Sequence, residues 1–334
     1  MIKRKVVITD YIEPDLDWET RTFDSYDIDF AHYQLKNASR EELLDAVKDA
    51  EIIVVNMARF DEALISGLNK TQLIIRHGIG YDNVDIDAAA RKGITVINIP
   101  DYCVPEVAEQ AVMLIVACQR KLTTQLHSMQ CSTEAGKWVF EPVYPVYQLQ
   151  GKTVGIVGLG RIGGTVFRML QGFGVKFLVC DPYLSKERKK EYGIETCSLE
   201  DLLQNSDIVT IHCPLKWEET YHMFDTLQFK MMKKTAILVN TARGAIVNLE
   251  TLDQALRAGE IAQAGIDVYE VEPPSADLPL LHNERAICTP HLSWLSEESG
   301  WTIREKIMEQ IRRYMDGETV QNILTVPNTG PAAG

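Results

Sequence analysis

The chain has 334 residues, 46% hydrophobic and 24% charged, with a formal net charge of −13. That length accommodates two domains with full cores, and the acidic balance argues against a direct nucleic-acid or anionic-membrane binder, either of which needs a basic face. Seven cysteines stand singly, with no CxxC pair and no zinc spacing, so reduced thiols in a cytoplasmic compartment are expected. The basic start gives way to Thr9-Asp10 after three apolar residues, which is no signal peptide, and the longest apolar run, Ala111 to Cys118, is too short for a membrane span.

Lys5 to Thr9 predicts a first strand. Ser39-Arg40-Glu41-Glu42 is a capping box that opens a helix to about Asp49. Glu51 to Asn56 and Leu73 to Arg76 predict further strands, Asp85 to Lys92 a helix ended by Gly93, and Ile94 to Asn98 another strand. This alternation implies a parallel α/β sheet, so the first hundred residues form a domain of their own. Between Arg76 and Asn83, Gly78 and Gly80 follow a strand directly. They suit a loop whose backbone N–H groups meet an anion, and equally an ordinary turn.

Pro100 breaks the chain, and Pro105 opens a helix to about Lys121 with Glu106 and Glu109 near its positive end. Its apolar middle implies burial between layers or domains. Residues 122 to 150, with Trp138, Pro142 and Pro145, read as an arm or loop, either an oligomer contact or plain surface.

The chain is organised around residues 153 to 181. Thr153 to Val157 is an apolar strand, followed at once by Gly158-Leu159-Gly160-Arg161-Ile162-Gly163 and a helix from Ile162 to Gln171. Val175 to Cys180 is a second strand, ending at Asp181. Gly158 permits the tight turn, Gly160 lets backbone approach a pyrophosphate, and Gly163 lets helix and strand pack closely. The helix N-terminus offers free N–H groups to phosphate. Asp181 suits the ribose hydroxyls of an adenosine and disfavours a 2′-phosphate, and Pro182-Tyr183-Leu184 supplies no immediate basic replacement, so NAD is expected over NADP, although Lys186 and Arg188 are not far off.

Leu199 to Asn205 is a short helix, and Asn248 to Ala258 is a helix ended by Gly259. Asp207 to His212, Ala236 to Asn240, Ala262 to Asp267 and Ala286 to Thr289 predict strands, making about six in a doubly wound sheet. Glu297 to Met315 predicts a long amphipathic helix, and Pro327 to Gly334 a disordered tail. The expected architecture is two Rossmann-like or flavodoxin-like α/β domains with doubly wound parallel sheets. One comprises residues 1–101 with 296–334 and binds substrate. The other comprises 102–295 and binds the dinucleotide. Two crossings imply a cleft for a small substrate.

Three segments fall at predicted strand ends, where open α/β sheets bind ligands. They are Asn240-Thr241-Ala242-Arg243-Gly244, Asp267 to Pro274, and Thr289-Pro290-His291. Hydride transfer to a 2-keto acid needs a planar cation for the carboxylate and an acid for the carbonyl oxygen. Arg243 and His291 supply those groups, and Glu272 could hold the imidazolium form. Taken singly, Arg243 also reads as a structural ion pair, Glu272 as a loop acid and His291 as a satisfied loop residue.

Across nearly its whole length the sequence resembles the D-2-hydroxyacid dehydrogenase family. The resemblance implies substrate binding by Arg243 in NTARG, acid/base work by His291 in TPH, and Glu272 in DVYEVEPP as its partner. It places Gly158, Gly160, Arg161, Ile162, Gly163 and Asp181 in the NAD site and Asp267 at the nicotinamide pocket. It assigns the substrate carboxylate to the Ile79 and Gly80 amides. Glu272 separates the chain from formate dehydrogenases, which use Gln there, and the chain's end after the last predicted helix implies no appended regulatory domain. Arg76 and Trp294 resemble substrate-side residues of the C-terminal binding protein corepressor branch, and Trp294 reads either as a pocket wall for an apolar or thioether side chain or as packing. The expected activity is NAD-dependent reduction of a 2-keto acid by a cytoplasmic homodimer. The alternative is an NAD(H)-sensing, corepressor-like scaffold with weak reductase activity.

Overall fold

The computed structural model describes residues 3–26, 28–138 and 144–325. Pro142 and the tail from Pro327 to Gly334 lie outside the described residues. The chain divides into two compact units, Met1–Tyr102 with Ser296–Gly334, and Cys103–Leu295.

The first unit runs β1 (Arg4–Ile8), α1 (Asp17–Asp24), β2 (Ile28–His32), α2 (Arg40–Val47), β3 (Ile52–Val55), α3 (Glu62–Ser66), β4 (Leu73–Arg76), α4 (Ile86–Arg91) and β5 (Thr95–Asn98). All strand pairs are parallel, in the order β2-β1-β3-β4-β5. The central strands are apolar without alternation because both faces are covered. Ser39 and Glu42 make the reciprocal capping box of α2, while Asp61 and Asp85 cap α3 and α4 through their side chains. The predicted strands from Lys5, Glu51, Leu73 and Ile94 are present with ends shifted by a residue or so. Neither α1, β2 nor α3 was expected. They are short, and β2 is an edge strand that draws its pairing from β1, so no local run of apolar residues announces it.

The second unit runs α5 (Val104–Gln119), α6 (Leu122–Glu134), β6 (Thr153–Val157), α7 (Arg161–Gln171), β7 (Lys176–Cys180), α8 (Lys186–Tyr192), α9 (Leu199–Asn205), β8 (Ile208–Ile211), α10 (Thr226–Met231), β9 (Ile237–Asn240), α11 (Leu249–Ala258), β10 (Gln263–Ile266) and β11 (Ala286–Cys288). The sheet order is β11-β10-β9-β8-β6-β7, again parallel throughout. The chain then returns to the first unit as α12 (Glu297–Met315).

The apolar middle of α5 is buried on the sheet of its own unit, against β9, β10 and α7. Gly265 permits that approach, since a Cβ there would lie 3.0 Å from the Leu114 Cβ. The arm or loop read over residues 122 to 150 is corrected for 122–134, which form α6. Lys121 takes a left-handed backbone (φ 51°) and separates the two helices. Only Ser132 of α6 is buried, while Leu122, Leu126 and Met129 are exposed, so the helix lacks the buried apolar stripe that periodicity detects. Among the described residues no helix is long and apolar enough to cross a membrane.

Candidate active site

Gly158 leaves β6 with φ 89°, a conformation open to glycine, and a Cβ there would come within 2.7 Å of the Cys213 backbone N. A Cβ on Gly163 would meet the Gly158 carbonyl oxygen at 2.1 Å. Packing of the loop on the C-terminal ends of β6 and β8, the switch point of the sheet, therefore demands both glycines. Gly160 differs. It caps α7 with ordinary angles and no side-chain hydrogen bond, and a Cβ there would meet nothing within 4 Å. Its missing side chain leaves open space beside the free N–H groups of the first turn, at Arg161 and Ile162, which is the cradle a pyrophosphate requires.

Asp181 stands at the end of β7, and its carboxylate accepts from the Leu159 amide (2.9 Å) and the Tyr183 amide (3.0 Å). Arg188, the nearby basic residue, donates instead to the Leu159 and Gly160 carbonyls at 3.1 and 3.3 Å. Its guanidinium is thus committed to the loop. His212, beneath the same loop, is pushed down to about 3 by loss of solvent around its ring, so it stays neutral.

The ends of β9, β10 and β11 carry the second cluster. Arg243 extends from the loop after β9, where the Asn240 amide group donates to its carbonyl at 2.9 Å. Gly244 follows because a Cβ there would lie 1.9 Å from the Tyr269 carbonyl carbon, so the loops after β9 and β10 touch backbone to backbone. Glu272 Oε2 lies 2.7 Å from His291 Nδ1, and Glu272 Oε1 accepts from the Tyr269 amide at 3.0 Å. Burial pushes the Glu272 carboxyl up, but the His291 hydrogen bond and charge, the Tyr269 amide and the Arg243 charge together hold it below the ordinary range. The cluster thus comprises an ionised carboxylate, an imidazole whose Nε2 points away from that carboxylate, and a guanidinium close enough to be felt by it.

His291 has φ 57°, an uncommon backbone for a non-glycine residue, and the surroundings fix it there. Asp267, fully buried, accepts from Thr289 Oγ1 (2.5 Å) and from the Leu292 and Ser293 amides (3.3 and 3.1 Å). The Tyr269 hydroxyl donates to the Thr289 carbonyl (3.0 Å), and the Trp294 indole N–H donates to the His291 carbonyl (3.0 Å). Asp267 and Trp294 both grip the histidine loop, and Tyr269 is a supporting residue that the sequence did not single out. The signal for it lay in the DVYEVEPP segment itself.

In the first unit, the turn after β4 has its carbonyls engaged. Arg76 folds back to donate to the His77 carbonyl, the Ile99 amide donates to Gly78 (3.1 Å), and the Asn98 side chain donates to Ile79 (2.6 Å). Among the described residues the Ile79 and Gly80 amides have no acceptor.

Residues 112–293 match the family model described as the NAD binding domain of D-isomer specific 2-hydroxyacid dehydrogenases. A glyoxylate reductase of Korarchaeum cryptofilum is 36% identical over 290 residues, covering 86% of each chain. A D-3-phosphoglycerate dehydrogenase of Archaeoglobus fulgidus is 37% identical over 88% of this chain. The chain spans about half the length of the D-3-phosphoglycerate dehydrogenases it matches, 55% of that one. Among solved structures, the D-lactate dehydrogenase of Aquifex aeolicus complexed with NAD and lactic acid superposes with a TM-score of 0.84 at 27% identity, covering 96% of this chain and 99% of that one. Both halves of the fold and the NAD-binding segment lead to one conclusion: the chain belongs to the D-isomer specific 2-hydroxyacid dehydrogenase family.

Proposed function

We propose that the protein reduces a 2-keto acid to a D-2-hydroxy acid at the expense of NADH, and runs the reverse oxidation with NAD. The observation that carries this is the 2.7 Å contact of Glu272 with His291 Nδ1, next to Arg243 at neighbouring strand ends. Bound NADH supplies the hydride for the carbonyl carbon. Arg243 takes the substrate carboxylate in its planar fork. The Ile79 and Gly80 amides, without an acceptor among the described residues, also suit a substrate carboxylate. Glu272 stabilises the imidazolium of His291 and directs its Nε2 proton, which passes to the carbonyl oxygen as the hydroxy acid forms. The Gly158 to Gly163 loop and the start of α7 receive the pyrophosphate, and Asp181 the adenosine ribose, which supports NAD over NADP. Trp294, with its indole N–H engaged, offers its ring to the substrate side chain and suits an apolar or thioether group. The relatives found are named as reductases and dehydrogenases, which favours an enzyme over an NAD(H)-sensing scaffold.

A homodimer in the cytoplasm completes the reading. Exposed Leu122, Leu126 and Met129 on α6 support self-association, and seven free cysteines suit a reducing compartment. The test of the activity is NADH oxidation with glyoxylate, hydroxypyruvate, pyruvate, phenylpyruvate and 4-methylthio-2-oxobutyrate, with NADPH in parallel. Turnover of at least one keto acid with NADH is expected. Tight NADH binding without turnover of any would sink the reductase.

A further inference from the structure

One cation of the second unit stands behind the glycine loop. Arg188 Nη2 donates to the Leu159 carbonyl at 3.1 Å and to the Gly160 carbonyl at 3.3 Å. Among the described residues Arg188 forms no ion pair with a carboxylate, and its Nε is buried without an acceptor. A part-buried guanidinium with no countercharge and an unmade hydrogen bond costs stability, so its place needs a reason beyond fastening a loop. The loop it touches is the one that offers free N–H groups to an anion, and that anion supplies the countercharge.

Local structure seats the arginine. Ser185 caps α8, its hydroxyl accepting from the Arg188 amide at 3.2 Å. Tyr192, four residues on and so on the same helix face, places its ring centroid 5.4 Å from the guanidinium and its hydroxyl 3.4 Å from Nη2. Gly164 of α7 makes room for both. A Cβ there would lie 2.3 Å from the Tyr192 hydroxyl and 3.3 Å from Arg188 Nη2. This glycine falls outside the Gly158, Gly160, Gly163 spacing, and the seat of Arg188 accounts for it. Leu159 is gripped at both ends, since Asp181 accepts from its amide at 2.9 Å and Arg188 donates to its carbonyl.

In a trans peptide the N–H points opposite the C=O. Holding the Leu159 and Gly160 carbonyls on the α8 side turns the Gly160 and Arg161 N–H groups to the other side, where neither has an acceptor among the described residues. A cation on a carbonyl oxygen also polarises the peptide group and makes its N–H a stronger donor. We infer that Arg188 is a positioning residue for the cofactor pyrophosphate: it acts through the Leu159–Gly160 and Gly160–Arg161 peptides, aiming and charging their N–H groups, from a seat that Gly164 and Tyr192 provide. The inference rests on the reading that the Gly158 to Gly163 loop receives the pyrophosphate.

The test measures the affinity of the full chain for NADH, ADP-ribose and adenosine, the last of which lacks the pyrophosphate. Arg188→Met should weaken NADH and ADP-ribose about tenfold, the order of one charge-assisted contact, and leave adenosine within about twofold. Arg188→Lys keeps the charge and a nitrogen able to donate to both carbonyls, and should bind both within about threefold of wild type. Arg168→Met is the control for packing. Arg168 Nη1 donates to the same Tyr192 hydroxyl at 2.5 Å but to no loop carbonyl, and its variant should bind all three ligands within about twofold of wild type. Unchanged NADH affinity in Arg188→Met overturns the inference, and so do equal losses in the Met and Lys variants, which mark shape rather than charge. Adenosine affinity that falls in step with ADP-ribose also overturns it, as does an Arg168→Met loss equal to that of Arg188→Met, because either marks a merely structural contact. Gly160→Ala separates the inference from the reading it rests on. If Gly160→Ala weakens ADP-ribose and Arg188→Met does not, the loop keeps the pyrophosphate and the arginine loses its role. If neither variant weakens ADP-ribose, the loop reading fails and the inference falls with it.

Discussion

The two units share the strand order second-first-third-fourth-fifth counted within each, to which the second adds a sixth strand at the edge, yet they treat the loop after the first strand in opposite ways. In the second unit that loop is glycine-rich, and Gly160 leaves open space next to unsatisfied helix N–H groups. In the first unit the corresponding loop carries Asp10. Its carboxylate accepts from the Met57 amide (2.7 Å), the Ala58 amide (3.3 Å) and the Thr9 hydroxyl (2.7 Å). The same topological crevice is filled by the protein's own anion in one unit and left for a foreign one in the other. A shared fold therefore decides where a ligand site is available, and the side chain at one loop decides whether it is used.

The largest expected effect lies at the strand ends of the second unit. His291→Gln should lower kcat about a thousandfold, the scale of lost general acid catalysis, while NADH binding is kept. Near-wild-type turnover would remove His291 from the proton path. Next come the glycines. Gly163→Ala drives a Cβ into the Gly158 carbonyl and should cost about 3 kcal/mol in thermal or denaturant unfolding. Gly160→Ala should leave stability within about 0.5 kcal/mol and weaken NADH about tenfold. Equal stability losses in the two variants would break the contrast between a packing glycine and a ligand glycine.

The first unit should respond in stability rather than in cofactor affinity. Glu13, whose Oε1 lies 2.8 Å from His77 Nε2, has a lower carboxyl pKa folded, about 2, than unfolded. Its contribution is therefore fully present above the unfolded value and lost as pH falls through the folded one. Wild type should lose about 2 kcal/mol more than Glu13→Gln between pH 4.5 and 2, and identical acid limbs would show that the pair contributes nothing there. Smallest is Asp10→Asn, which weakens the acceptor of two amides and should cost about 1 kcal/mol of stability with unchanged NADH affinity. A drop in NADH affinity instead would mean that the filled crevice is not independent of the open one.

Much of this was legible in the sequence. The buried strands announced themselves because covered parallel strands are apolar runs, and the capped helices because Ser39, Asn248, Gly93 and Gly259 are chemically suited to helix ends. Elements without such marks were missed: β2 gains its hydrogen bonds only from β1, and α6 keeps its apolar side chains exposed.

The site divides in the same way. From the sequence, local spacing marked the glycine loop and the acid after it at Asp181, whereas Arg243, Glu272 and His291, which no local spacing links, stood out at predicted strand ends only through the family resemblance. Only the tertiary structure decided that Glu272 meets His291 at 2.7 Å, that Asp267 and Trp294 hold the histidine loop, and that Glu13 reaches His77 from 64 residues away. Such contacts join loops brought together by sheet order, and sheet order is set by which buried strands pair, a long-range choice that no local pattern encodes.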